Sequence, residues 1–86
     1  MAKQSETAGV FLQTSSGLVP FTGLTTQNLG ADGGTFYASI IHGGKSVSRV
    51  SGDTEDKAMK AARQVIADIA ERIQGSDKAT RLVISL

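Results

Sequence analysis

The spacing of hydrophobic positions along this chain changes period once, near Gly52, and that change predicts its layout. In Thr35–Ile41, Phe36, Ala38 and Ile40 alternate with Tyr37, Ser39 and Ile41. This aromatic and β-branched run is the best strand by composition. Gly43-Gly44 follows, and both residues can adopt the positive φ of a two-residue hairpin turn. Lys45–Ser51 is then the returning strand. An unbulged register puts Ile40 opposite Val47 and Ala38 opposite Arg49. Phe36, Ala38, Ile40 and Val47 share the expected core face. Tyr37, Ser39, Ile41, Ser46, Ser48 and Val50 share the other, a semi-polar surface left for solvent or a partner. Arg49 fits this register badly. Either it reaches past the sheet edge or a β-bulge shifts the pairing.

Beyond Gly52 the period becomes helical. Ala58, Ala62, Val65, Ile66, Ile69, Ala70 and Ile73 fall in one arc with Met59 beside them. Lys57, Lys60, Arg63, Gln64, Asp68, Glu71 and Arg72 fill the opposite arc. Asp53 or Thr54 can cap the first turn, and Asp53, Glu55 and Asp56 place negative charge at the positive end of the helix dipole. Asp68 and Arg72 are spaced as an i,i+4 ion pair, and Gly75 is the expected stop. Each buried Val or Ile contributes roughly 1.5–3 kcal/mol. That docks the helix on the sheet, and without the docking it would not be stable.

The flanks are weaker in pattern. Val10–Thr14 reads as a strand, Ser15-Ser16-Gly17 as a turn, and Leu18–Thr22 as a return strand that Pro20 confines to an edge. Thr25–Gly34 is polar and carries Gly30, Gly33 and Gly34, so it reads as a loop. Arg81–Leu86 is a last strand that rejoins the sheet beside an earlier one. The expected fold is α+β: a small, mostly antiparallel sheet of about four to five strands, in the order β-β-β-(β)-α-β, with one long amphipathic helix on one face. Residues 1–8 read as a disordered polar lead-in and 9–86 as a single domain.

Composition narrows the function classes. The chain has 86 residues, three Phe, one Tyr, no Trp and no Cys. Its core must be aliphatic, and disulfides and thiolate metal sites are excluded. No apolar run approaches the ~20 residues of a membrane helix, and residues 1–7 carry no signal-peptide core. A cytoplasmic protein with no membrane association is expected. Nine Lys/Arg against eight Asp/Glu give a net charge of +1, so overall charge selects neither nucleic acid nor an acidic-mimic role. His42, the only histidine, stands at the hairpin tip, where it reads as a surface turn residue with no acid or nucleophile beside it. Gly30-Ala31-Asp32-Gly33-Gly34 leads into a strand, whereas a phosphate-cradling loop leads into a helix. No catalytic residues, metal ligands or cofactor site are expected, and the protein reads as a non-enzyme.

Two families share parts of this pattern. The hairpin followed by an Ala-rich helix with lysines resembles the second half of a double-stranded RNA-binding domain. That family opens its helix with a phosphate-gripping lysine pair, where this chain has Glu55 and Asp56. The second resemblance is carried by Asp32-Gly33-Gly34-Thr35-Phe36-Tyr37, then Gly52-Asp53-Thr54, then Lys57-Ala58 and Ala61-Ala62, closed by Val83-Ile84-Ser85-Leu86. It is similar to the N-terminal domain of HicB-type antitoxins. Membership would imply a partial ribonuclease-H-like fold that blocks a small toxin ribonuclease, usually as an oligomer. The family's L-P-G-C segment is replaced here by Ile41-His42-Gly43-Gly44-Lys45.

The expected function is that of a small binding protein that docks on a macromolecule and inhibits or regulates it, as an antitoxin or mobile-element inhibitor does. The expected partner-binding residues are Tyr37, Ile41, His42, Lys45 and Val50, on the spare sheet face and hairpin tip, and the same face suits a homodimer. The alternative is nucleic-acid binding through Lys45, Arg49, Lys57, Lys60 and Arg63.

Overall fold

The computed structural model describes residues 9–76 and 81–86. The expected lead-in over residues 1–8 lies outside them. The class is α+β, as expected, with six strands and one helix among the described residues. The strands form two three-stranded sheets, of order β2-β1-β6 and β3-β4-β5, in place of the single sheet anticipated. Close contacts divide the chain into two compact units, Thr22–Asp68 and Met1–Phe21 with Ile69–Leu86.

The Thr22–Asp68 unit is an antiparallel meander covered by a helix. β3 (Thr25–Asp32), β4 (Thr35–His42) and β5 (Lys45–Gly52) are joined by the Gly33-Gly34 and Gly43-Gly44 turns. All four of these glycines have positive φ, between 59° and 87°, as two-residue hairpin turns require. β3 occupies the segment expected to be a loop. Its polar residues pair with β4 from Thr25↔Ile41 to Asp32↔Thr35, interrupted by a bulge at Leu29. A second bulge corrects the expected β4–β5 register. Ile41 pairs with Ser46 but Ile40 with Ser48, leaving Val47 as the extra residue. Everything after Val47 therefore changes face. Arg49 lies opposite Ser39 and Val50 opposite Ala38, the reverse of the expected arrangement.

α1 (Glu55–Gln74) packs on the β3-β4-β5 sheet. Ala38 and Ile40 from β4 meet Ala58 and Ala62 from the helix, all fully or almost fully buried. Leu24, Phe36, Val47, Val50, Met59, Val65 and Ile66 pack around them. Thr54 is the cap: its Oγ1 accepts from Lys57 N at 3.1 Å. Asn28 Nδ2 donates to Glu55 Oε2, tying the helix start to β3. Asp68 accepts from Gln64 Nε2 at 2.9 Å, in place of the expected pair with Arg72. Ala70, expected in the apolar arc, is exposed.

The other unit contains β1 (Gly9–Thr14), β2 (Gly17–Pro20), β6 (Arg81–Ser85) and the last turns of α1 from Ile69. β1 and β2 form a hairpin, and β6 lies parallel to β1 from Gly9↔Arg81 to Gln13↔Ser85. The cross-strand pair Leu12 and Ile84 has no exposed surface, and Ile69 is also buried. The helix stops at Gln74. Gly75 is outside the left-handed region, and the Ser76 hydroxyl instead donates to the Ile73 carbonyl at 2.9 Å.

Candidate functional site

Strand alternation leaves the face of the β3-β4-β5 sheet opposite α1 to Thr25, Gln27, Tyr37, Ser39, Ile41, Ser46 and Arg49. Two backbone irregularities shape it. The Val47 bulge turns Arg49 onto this face, where its guanidinium stacks on the Tyr37 ring at 5.0 Å from the centroid. The Leu29 bulge brings Gly30 opposite Tyr37. Gly30 has a positive φ of 85°, and a Cβ there would meet no atom within 4 Å. The result is a shallow depression of about 260 Å³, lined by Leu29, Gly30, Ala31, Asp32, Tyr37 and Arg49. Leu29 is 48% exposed at its rim. Asn28 Oδ1 accepts from Gly30 N at 2.9 Å and fixes the bulge from the helix side.

This face offers Arg49 as a cation over an aromatic ring, Asp32 as a carboxylate, and Leu29 and Tyr37 as apolar surface. Ser39 is almost fully buried between strands, and its hydroxyl bonds the Ser46 hydroxyl and the Ser48 carbonyl. Among the described residues, no group of three His, Cys, Asp or Glu side chains is placed to hold a metal ion. Among the same residues, no helix is long and apolar enough to cross a membrane.

Comparison with known protein families, curated proteins and solved structures finds no match.

Of the residues expected to bind a partner, Tyr37 and Ile41 lie on this face, and Lys45 is exposed at the end of the Gly43-Gly44 turn. Val50 does not. The Val47 bulge puts it among the core residues beneath the helix. His42 is not a surface turn residue either. It is 8% exposed, and its Nε2 lies 3.0 Å from the Thr22 amide, which donates to it, and 3.2 Å from the Thr22 hydroxyl. As the last residue of β4 it has the parity of Ile40, which points it inward.

The five cations of the alternative reading are all exposed, but they do not converge. Arg49 is on the open sheet face, while Lys57, Lys60 and Arg63 are on the helix that covers the opposite face. Lys57 Nζ is 4.0 Å from Asp53, which offsets part of its charge. The sequence reading missed Leu29, Gly30, Ala31 and Asp32 as site residues. The signal was present in Gly33-Gly34, which has the same two-residue form as the Gly43-Gly44 turn that was read correctly.

Proposed function

We propose that the protein is a non-enzymatic binding protein that docks on a macromolecular partner, most simply another protein, and inhibits or regulates it. The observation that carries this reading is the Arg49–Tyr37 stack beside an open depression on the helix-free sheet face. Tyr and Arg are residue types enriched among the anchors that dominate protein interfaces. Antitoxins and mobile-element inhibitors belong to this class of function. The non-enzymatic reading is supported by His42, whose Nε2 is engaged by Thr22. A phosphate-binding role fits less well, because the basic residues are split between opposite faces of the Thr22–Asp68 unit.

The test is capture of a partner from native lysate on the immobilised protein, with Tyr37→Ala and Arg49→Glu run beside it. Both variants are expected to stay folded by circular dichroism and to lose the partner. Protein docking should persist between about 50 and 200 mM salt, where a phosphate-driven complex weakens steeply. A partner retained by both variants would show that docking occurs elsewhere.

A further inference from the structure

Among the described residues, β6 is an edge strand, with β1 parallel to it on one side and no strand on the other. Such an edge presents a row of backbone N–H and C=O groups, and what pairs with it is another extended backbone. Natural edges are usually blunted by proline, bulges, short length or projecting charge. β2, at the other edge of this sheet, has four residues and ends in Pro20. β6 has neither proline nor a bulge in its register with β1. Its one charged residue, Arg81, is drawn over the Phe11 ring at 5.2 Å.

Between Arg81 and Ser85, the outward side chains beside this edge include an apolar row. Val83 and Pro20 flank Phe11 as its cross-strand partners. Three of the four large exposed hydrophobics among the described residues, Leu18 (41%), Val83 (39%) and Leu86 (43%), lie in this unit.

We propose that β6 is a self-association site at which two copies of the chain pair antiparallel, β6 against β6, about a two-fold axis at Val83. The strand is complementary to itself in that register. Val83 meets Val83, Arg81 meets Ser85, and inward-facing Leu82 meets inward-facing Ile84. No like charges are opposed, and the Pro20–Phe11–Val83 row continues into the second copy. An isologous contact of this kind closes on itself, and a net charge of +1 puts little repulsion between copies. These features favour a second copy over an unrelated strand. A five-residue strand is about 17 Å long, so the interface falls below the ~1,200 Å² of stable complexes, and the dimer is weak, with Kd on the order of 10–100 μM. This site is distinct from the Arg49–Tyr37 face and does not depend on it.

Sedimentation velocity from about 5 to 500 μM should show a concentration-dependent dimer. Val83→Lys would oppose two charges at the axis and weaken it at least tenfold, while Arg49→Glu leaves it unchanged. Hydrogen exchange on the wild-type protein gives a second readout: amides of Leu82–Ser85 should slow at high concentration relative to low. This readout decides the matter if Val83→Lys fails to fold. A wild-type chain that stays monomeric to 500 μM, a dimer indifferent to Val83→Lys in a folded variant, or concentration-dependent protection confined to β3–β5 each overturns the proposal.

Discussion

Gly52→Ala should destabilise the protein even though Gly52 has no unusual backbone conformation. A Cβ at this position would lie 2.6 Å from Ala58 N, 2.8 Å from the Lys57 carbonyl carbon and 2.9 Å from Lys57 Cβ. Two of these atoms are helix backbone, so no rotamer change relieves the contact. The first turn of α1 would have to retreat from the end of β5 by roughly half an ångström or more, and a gap of that order forfeits a quarter to a half of each dispersion contact it opens. The contacts at risk are those of Ala58 and Ala62 with Ala38 and Ile40, the buried centre of this unit. Overpacking of this kind costs about 1–3 kcal/mol. Because φ of Gly52 is outside the left-handed region, alanine also restricts the unfolded chain and returns about 0.4–1 kcal/mol. The net expectation is a loss of ~1–2 kcal/mol, or a fall in Tm of about 4–8 °C per kcal/mol for a chain of this size. Urea and thermal denaturation followed by circular dichroism measure it. Gly75→Ala is the internal control, since its Cβ would meet only the Glu71 carbonyl oxygen at an ordinary 3.5 Å. If Gly52→Ala is as stable as wild type, the close approach of helix and strand is not limiting and the reasoning fails.

His42→Ala should cost ~1–3 kcal/mol by removing the acceptor for the Thr22 amide, and amide exchange at Thr22 should accelerate; unchanged exchange would mean that the bond holds nothing. Thr54→Ala removes the helix cap and should lower stability by about 0.5–2 kcal/mol, while Thr54→Ser should keep most of it, as chemical denaturation of the pair would show. Arg49→Ala should change stability by less than about 1 kcal/mol, because the cation–π contact is solvent-exposed; a larger loss would make Arg49 a structural residue.

The strong local signals were legible in the sequence. The period change at Gly52, the Gly43-Gly44 turn and the helix with its acidic first turn all rest on short-range chemistry, and each appears in the structure, as does the return of the last strand beside an earlier one. What was not legible depends on pairing partners. β3 is polar because its residues earn their place through ladder bonds to β4, and composition carries no record of those bonds. The Val47 bulge is one residue of slippage, and it exchanges Arg49 and Val50 between faces. Arg49's misfit in the unbulged register was the only sequence trace of it. His42 looked like a turn residue because it adjoins Gly43, yet the strand runs one residue further than expected and carries its ring inward.

The parallel pairing of β1 with β6 has a consequence in time. Each strand of the Thr22–Asp68 unit finds its partner across a short turn, and its helix follows directly. These contacts close small loops at little entropic cost. β1 can zip to β2 just as early, but Gly9 must wait for Arg81. During synthesis the β1–β2 hairpin is therefore paired on one side of β1 and vacant on the other until residues 81–85 have been made, so this sheet closes only after the meander that separates its strands in sequence.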